Sequence, residues 1–399
     1  MATENKKYIP ALRFPEFQND REWKTDAMET IFDIKNGYTP SKSNPSFWDN
    51  GTIPWFRMED IRKNGHILSD SIQHVTPAAV KNAGLFPAYS IIVATTATIG
   101  EHALIIVDSL ANQQFTFLTK RKSFDNKLDM MYFHYFMFII DEWCKRNTNA
   151  GGLLSVNMDS FKKLTIPYPS SLSEQKKIAD CFVSIDKEID ATKRKLELLK
   201  EHKKGLMQKL FPAKGKTLPE LRFPEFQNDG EWVEVPFGSI INVNSGKDYK
   251  HLDVGNIPVY GTGGYMLSVN DRLSDIDAVG IGRKGTIDKP QYLKAPFWTV
   301  DTLFFLTSSK NYNIRYLYYL CQTIPWKTYG EQTGVPSISK NSIDKLDVVI
   351  TTNLVEQQKI AQSLLHLDNA IDAIKRKIHL LETHKYGLMQ NLFPNLNNY

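Results

Sequence analysis

Two stretches of the chain place apolar residues at spacings that alternate between four and three. The pattern lasts for about five heptads in each stretch, and such a strict 3.5-residue period is typical of the seam of a left-handed coiled coil. We predict one long helix per stretch, each ended by a Phe-Pro pair, because proline cannot continue a helix. The predicted seam is Ile178, Phe182, Ile185, Ile189, Leu196, Leu199, Leu206 and Leu210 in the first helix, and Ile360, Leu364, Leu367, Ile371, Ile374, Ile378, Leu381, Leu388 and Leu392 in the second. Thr192, Lys203 and Lys385 fall on the remaining seam positions.

The two stretches belong to a larger internal repeat. PALRFPEFQNDREW at 10–23 matches PELRFPEFQNDGEW at 219–232 with an offset of 209. The helical stretch 174–212 matches 356–394 with an offset of 182, and 23 of the 39 positions are identical. Each half of the chain therefore has matched ends around a middle of its own, as expected for two different binding domains on a common frame.

The order of these segments predicts that the helices pair antiparallel. The second variable region joins the end of the first helix, near Pro212, to the start of the second helix, near Glu356. An antiparallel pair brings these points together, whereas a parallel pair separates them by roughly 54 Å, the length of about 36 helical residues. A pseudo-two-fold axis then passes through the middle of the coil. We expect the ends of the chain to meet, with Leu12 to Phe17 beside Leu392 and Phe393.

The variable regions have mixed α and β character. Candidate strands are Ile91 to Thr96, Ala103 to Val107, Phe115 to Thr119, Ala278 to Ile281, Leu303 to Thr307 and Val348 to Ile350, and candidate helices are Met130 to Arg146 and Ile314 to Ile324. The predicted class is α+β: two mixed α/β domains separated by a pair of long antiparallel coiled-coil helices, with a pseudo-two-fold internal repeat. The predicted division is 1–170 for the first domain, 171–212 for the first helix, 213–221 for a linker, 222–351 for the second domain, 352–394 for the second helix and 395–399 for a tail.

Composition excludes several classes of protein. Cys144, Cys181 and Cys321 lie far apart, so neither a disulfide framework nor a zinc site is expected, and a reducing, cytoplasmic setting fits best. The longest apolar run, Met130 to Ile140, is far shorter than the about 20 residues of a membrane-spanning helix, and we interpret it as a core helix. The net charge of +5 permits an anionic partner without requiring one.

Motifs that suggest an enzyme fail on their context. Gly280 to Gly285 has the letters of a dinucleotide fingerprint, but Pro290 and Pro296 follow where its helix should continue. Asn44-Pro45-Ser46-Phe47 resembles an adenine-methyltransferase loop, but it lacks the second proline and a preceding glycine-rich strand. We therefore predict no catalytic residues, no metal ligands and no cofactor.

The variable regions carry loops rich in Gly, Thr, Ser, Asn and Lys, which supply donors for phosphates and side chains for base edges. GYTPS, IPWF and ANQQF in the first region, IPVYGTGG, GRKG and FWTVDTL in the second, and the repeated EQKKIA…GLMQKLFP helix resemble the specificity (S) subunit of type I restriction-modification systems. The resemblance covers nearly the whole chain, and the repeated helix is its most specific element.

This resemblance implies that the variable regions are target recognition domains, each reading half of an asymmetric, split site in double-stranded DNA. The helices would set the spacer and dock two methyltransferase (M) subunits, with restriction (R) subunits completing the nuclease. Cofactors would lie in those partners, so none is expected here. The implied DNA-binding residues are Lys42, Ser43, Arg57, Thr95, Thr96, Thr98, Gln113 and Gln114 in the first domain, and Lys247, Thr262, Arg283, Lys284 and Thr299 in the second. For any one of them, a solvated loop position is the competing interpretation.

Two other functions remain open at the level of sequence. A stand-alone DNA methyltransferase is disfavoured by the missing motifs, and binding of S-adenosylmethionine to the pure chain would reveal one. A bivalent coiled-coil adaptor without DNA readout is harder to exclude from the spacing alone, and specific binding to a split DNA site in the presence of the methyltransferase partner would decide between the two.

Overall fold

Leu172–Leu210 and Leu354–Leu392 form the two long helices of the computed structural model. The structure describes residues 8, 10–81, 84–149, 154–309, 312–330, 334–394 and 396. The chain divides into two units, the first comprising Met1–Ala191 and Ile378–Tyr399, the second Thr192–Lys377. Each unit therefore contains part of both long helices.

The first unit combines one variable region with the start of the first long helix. Its strands are β1 (Lys24–Ala27), β2 (Phe32–Asn36), β3 (Ile53–Phe56), β4 (Ile67–Leu68), β5 (His74–Val75), β6 (Ser90–Ala94), β7 (His102–Ile105), β8 (Leu110–Ala111), β9 (Phe115–Lys120) and β10 (Thr165–Tyr168). Its helices are α1 (Met28–Ile31), α2 (Met58–Asn64), α3 (Met130–Arg146), α4 (Met158–Lys163), the start of α5 (Leu172–Leu210) and the end of the second long helix.

The second unit follows the same plan with fewer elements in its described part. Its strands are β11 (Val233–Pro236), β12 (Ile241–Ser245), β13 (Val254–Gly261), β14 (Gly264–Val269), β15 (Ala278–Gly282), β16 (Gln291–Leu293), β17 (Trp298–Thr299), β18 (Leu303–Ser308) and β19 (Asp347–Ile350). Its helices are the end of α5, α6 (Ile314–Thr323), α7 (Lys340–Asp344) and most of α8 (Leu354–Leu392). Short 3-10 helices lie at Pro15–Phe17, Pro45–Phe47, Pro77–Ala79, Lys122–Phe124, Pro224–Phe226, Phe237–Ser239 and Trp326–Thr328.

The two variable regions have the same strand arrangement in their separate cores. The first unit has the strand order β2-β9-β6-β7-β4, and the second has β12-β18-β15-β16. A smaller sheet accompanies each, β5-β3-β8 and β14-β13-β17, and β1-β10 and β11-β19 form two-stranded ribbons. The candidate strands and helices of the sequence analysis are present, with ends shifted by at most two residues. The predicted α+β class is confirmed.

The predicted seam is the inward face of both long helices. None of its positions is exposed; Phe182 and Leu364, for example, are fully buried. In the first unit, Ile178 and Phe182 share a core cluster with Leu392 and Phe393. In the second unit, Leu210 shares one with Ile360, Ala361 and Leu364. The start of each helix thus packs on the end of the other, and the predicted antiparallel pairing is confirmed.

Each copy of the repeated segment, 10–23 and 219–232, packs on the end of one long helix. The backbone N–H of Leu12 donates to the carbonyl of Asn391 at 2.8 Å, and Phe14 packs on the cluster that contains Leu392 and Phe393. At the matching place in the second unit, Leu221 donates to Lys209 at 2.9 Å. The predicted meeting of the two ends of the chain is confirmed for the described residues.

A buried arginine–glutamate pair fixes this segment to the start of the partner helix. Arg13 donates two hydrogen bonds, of 2.6 and 2.7 Å, to the carboxylate of Glu174, whose side chain is 1% exposed. Arg222 and Glu356 repeat the pair at 2.7 and 3.0 Å. Such a bidentate pair is rigid, and its loss leaves a buried charge without its partner.

A glutamine next to this glutamate anchors each variable region to its helix. In the first unit, Gln175 donates to the carbonyls of Lys127 and Pro169 and accepts from the backbone N–H of Asp129, at 2.7 to 2.8 Å. Gln357 makes the corresponding bonds with Thr351 and Asn313 in the second unit. The core helices α3 and α6 are thereby held at the same place on the frame.

No described helix is long and apolar enough to cross a membrane. The Met130 segment is a core helix, as predicted, with most of its side chains buried. The three cysteines are free, and no group of residues in the described ranges could hold a metal ion.

We predict that Arg13→Ala lowers the free energy of unfolding by about 3 to 5 kcal/mol, because Glu174 then remains buried without its charged partner. Chemical denaturation monitored by circular dichroism measures the change. Lys177→Ala is the matched control, since its contact with Glu16 is in the same repeat but about half exposed on both sides. Equal effects of the two substitutions would contradict the assigned role of the buried pair.

Candidate nucleic-acid interface

In the first unit, the predicted loops meet at one edge of the sheet. The backbone N–H groups of Gly37 and Tyr38 donate to the carbonyls of Phe115 and Ala111 at 2.9 and 2.8 Å. A Cβ at Gly37 would overlap the carbonyl oxygens of Ala111 and Asn112, so only glycine permits this approach. The GYTPS loop therefore lies directly on the ANQQF loop, and the side chain of Thr39 donates a hydrogen bond to Gln113.

A further loop, TTATIG at 95–100, is tied to the same place. The backbone N–H of Thr95 donates to the carbonyl of Gln114 at 3.2 Å, and the Gln114 side chain donates to the hydroxyl of Thr98 at 3.2 Å and to the carbonyl of Thr96 at 3.4 Å. Thr95, Thr96 and Gln113 line one groove together with Asn36, Asn149 and Ser155. Amide and hydroxyl groups of this kind can both donate to and accept from base edges.

The predicted residues of this domain differ in exposure. Lys42, Ser43 and Gln113 are exposed, whereas Arg57, Thr96, Thr98 and Gln114 are half-buried. Arg57 stands at the start of α2, where its guanidinium contacts Glu59 at 3.1 Å and lies 5.9 Å from the centre of the Trp55 ring. Its backbone neighbour Phe56 accepts from the N–H of Asn112, which places Arg57 beside the ANQQF loop.

The second unit brings its loops together through the same backbone contacts. A Cβ at Gly246, which matches Gly37 at the offset of 209, would overlap the carbonyl of Val300. The N–H of Lys247 donates to the carbonyl of Thr299 at 2.9 Å, and the N–H of Arg283 donates to that of Thr302 at 2.7 Å. The loop SGKDYK at 245–250 therefore converges with the GRKG loop at 282–285 and the FWTVD loop at 297–301.

Lys247, Arg283 and Lys284 are exposed, and Thr262 is half-buried. Within the described part of the chain, Lys42 and these three cations have no carboxylate partner. Unpaired cations on loops that converge are suited to phosphate contacts, since pairing with DNA then breaks no internal ion pair.

Two predicted residues lie in the interior. Thr95 is 7% exposed, and its hydroxyl is hydrogen-bonded to Thr116 at 3.0 Å. Thr299 is fully buried in β17, where it pairs with Tyr260, and its hydroxyl has no hydrogen-bond partner among the described residues. The side chain of Thr299 does not face solvent, whereas Thr95 borders the groove described above. A role of either residue in DNA binding stays a prediction. Thr95 directly follows β6 and Thr299 is the last residue of β17, and at such strand ends tertiary pairing decides burial.

The repeat register identifies two further candidate residues in the second unit, which the predicted set does not contain. Gly37 contacts Ala111 and Asn112, and Gly246 contacts Thr299 and Val300, so the two loops align with an offset of 188. Asp301 and Thr302 therefore occupy the places of Gln113 and Gln114. Asp301 is exposed and Thr302 half-buried. The signal in the sequence was the glycine shared by both halves at 37 and 246.

Comparison with known proteins agrees with this architecture. The sequence profile of the Type I restriction modification DNA specificity domain matches residues 20–201 and 229–383. The chain belongs to this family. The specificity subunit of the Escherichia coli type I restriction enzyme EcoprrI is 31% identical over 366 residues, which are 88% of this chain and 89% of that protein. The MjaIX specificity subunit of Methanocaldococcus jannaschii is 25% identical over 251 residues, 59% of this chain and 55% of that protein.

Among solved structures, the type I restriction-modification S subunit of M. genitalium has the same fold, with a TM-score of 0.64 at 19% identity over 96% of this chain and 99% of that chain. The predicted family is confirmed. Type I specificity subunits bind DNA, assemble with other subunits of their system and are not themselves catalytic.

Because the buried Thr299 hydroxyl has no hydrogen-bond partner among the described residues, we predict that Thr299→Val is neutral or raises the free energy of unfolding by about 1 kcal/mol. Binding of the assembled complex to its DNA target should remain unchanged, as measured by fluorescence anisotropy. Loss of affinity in a stably folded Thr299→Val subunit would show that the hydroxyl contributes to DNA binding.

Proposed function

We propose that each unit of this specificity subunit reads one half of a bipartite target in double-stranded DNA. The two long helices set the spacer between the half-sites and dock two methyltransferase subunits, and restriction subunits join the complete complex. The observation that carries the proposal is a contrast between the units. The long helices and the repeated segments packed on them, which together form the frame, make the same arginine–glutamate and glutamine hydrogen bonds in both units. The loops at equivalent positions of the two cores differ in sequence and in structure.

The difference between the loops supports two different half-sites. Gln113 and Gln114 in the first unit are replaced by Asp301 and Thr302 in the second. Glutamine pairs with adenine through its amide, whereas a carboxylate accepts from cytosine. Two surfaces with such different hydrogen-bonding groups favour an asymmetric target.

The outer faces of the helices support two docking sites for methyltransferase subunits. Leu198 and Leu380 occupy matching positions at the offset of 182 and are 65% and 67% exposed. Each lies away from the seam of its own helix. Two equivalent apolar positions favour two copies of one partner. Those partners also supply phosphate contacts, which explains how a chain with a net charge of only +5 can take part in a DNA complex.

We predict that exchange of residues 24–170 for the corresponding region of another specificity subunit changes one half-site and leaves the other half-site and the spacer intact. Mapping of methylated positions in the complex with the methyltransferase subunit measures the result. If both recognised half-sites changed, the proposal that each unit recognises its half-site independently would be contradicted. No preference for any split site would instead favour an adaptor without DNA readout.

A fragment of residues 1–212 should form a homodimer, because it retains one complete seam helix and has lost the other. Each large apolar side chain contributes about 1.5 to 3 kcal/mol when buried, so exposure of the seam is costly. In the homodimer, Lys203 of one copy can meet Asp186 of the other, as Lys203 meets Asp368 in the whole chain. The seam has Thr192 where the second helix has Ile374, so the homodimer should be weaker than the native pair.

With its methyltransferase partner, this dimer should recognise an inverted repeat of the first half-site, because a two-fold dimer reads a palindrome. Sedimentation and methylation mapping test the prediction. A monomeric helical fragment, or a dimer that still marks an asymmetric site, would contradict it.

A further inference from the structure

The hairpin β13–β14 presents two large apolar side chains next to each other at its tip. Tyr265 is 63% exposed and Met266 is 50% exposed. In a regular strand, neighbouring side chains point to opposite faces. Here Val259 pairs with Leu267 and Tyr260 with Tyr265, so Met266 is the extra residue of a β-bulge. Bulges redirect side chains, and this one leaves both residues open to solvent.

The hairpin tip lies against the loops that carry the exposed cations of this unit. A Cβ at Gly261 would lie 2.7 Å from the sulfur of Met266 and 3.8 Å from a methyl group of Val300, so Met266 lies beside the FWTVD loop. A Cβ at Gly282 would lie 3.3 Å from the methyl group of Thr262, which places the turn of the hairpin beside the GRKG loop. The exposed apolar pair thus adjoins Arg283 and Lys284.

The tip is also held in place. The side chain of Gln291 donates to the carbonyls of Gly261 and Thr262 at 2.9 and 3.1 Å. The hydroxyl of Tyr265 is hydrogen-bonded to that of Ser268 at 3.1 Å. The apolar pair is therefore presented on a positioned backbone, as sequence-specific contacts require.

The first unit has a different element at the same place. The carbonyl of Phe56 accepts from Asn112, and the carbonyl of Tyr260 accepts from Val300, so β3 and β13 end at equivalent points. In the first unit Arg57 and helix α2 follow, with Arg62 and Lys63 exposed. In the second unit the hairpin follows, with Tyr265 and Met266. At this equivalent position of their cores, the first unit thus has a helix with exposed charged residues, and the second unit has a hairpin with exposed apolar residues.

We propose that Met266, with Tyr265 beside it, recognises the 5-methyl group of a thymine in the major groove of the second half-site. This inference rests on the proposed function, because it assumes that the second unit reads DNA. The cations around the tip attract a duplex rather than an apolar partner. The apolar group that a duplex presents in its major groove is the thymine methyl. A flexible thioether adapts its shape to such a group.

The test uses the complex of the whole chain with its methyltransferase subunit and the mapped target. Each thymine of either half-site is replaced in turn by deoxyuridine, which removes only the methyl group. For the unaltered complex, one replacement in the second half-site should weaken binding about fourfold, the ratio that corresponds to burial of one methyl group. Two variant complexes are compared, one with Met266→Ala alone and one with both Tyr265→Ala and Met266→Ala. Each should bind the duplex with thymine and the duplex with uracil at that position equally.

Val254→Ala is the matched control, because Val254 lies at the far end of the same hairpin and is 93% exposed. It should retain the full sensitivity to uracil. The change in affinity caused by deoxyuridine in the first half-site should be the same in every variant. This equality would show that the complex remains intact. If no thymine of the second half-site is sensitive, or if both Met266 variants keep the sensitivity, the inference is overturned while the proposed function stands. No preference for any bipartite target would overturn the proposed function and the inference with it.

Discussion

A lysine within each apolar seam and the aspartate that it meets fix the register on which the rest of the structure depends. In the first unit, Lys385 donates to Asp186 at 2.6 Å, and the hydroxyl of Tyr135 on α3 donates to the same carboxylate at 2.9 Å. Burial and the neighbouring Asp186 raise the pKa of Tyr135 well above its usual value, so the phenol remains a donor. The second unit repeats the contact with Lys203, Asp368 and Tyr319, at 2.6 and 2.7 Å. A seam shifted by one heptad would leave these half-buried charges without partners, so the apolar residues stabilise the helix pair and the charged residues select its alignment.

This alignment separates the long helices and the cores packed on them from the loops that we propose to contact DNA. Because Tyr135 and Tyr319 belong to the core helices of the two variable regions, the same carboxylates that align the seam also position each core on it. The core strand order then repeats between the units, and the loops at its edge are held by backbone contacts such as those of Gly37 and Gly246. Backbone contacts constrain few side chains. The residues of these loops, and even the element that follows β3 or β13, can therefore differ without disturbing the frame.

The sequence predicted what depends on period and repetition. The heptads of the long helices, their antiparallel pairing and the meeting of the chain ends all follow from spacing and segment order, and a buried run such as β6 follows from its apolar residues. It did not predict what depends on tertiary pairing. Thr299 stands in a sequence typical of a polar loop, but it pairs with β13 inside the core. The bulge at Met266 interrupts the alternation of inward and outward side chains along β14, and a bulge is defined only by the pairing with the partner strand. The sequence does not explain the one lysine in each seam, because the aspartate that it contacts lies on the other helix.

The central proposal is that the two units each recognise their own half-site and that the long helices set the spacer. Its most direct test is the affinity of the assembled complex for duplexes that keep both half-sites while the spacer between them is lengthened or shortened one base pair at a time. Each base pair moves the second half-site by about 3.4 Å along the helix axis and rotates it by roughly 35°. We expect a sharp optimum at the native spacer, with affinity reduced at least about tenfold by a single base pair in either direction. Equal affinity over several spacer lengths would contradict the account.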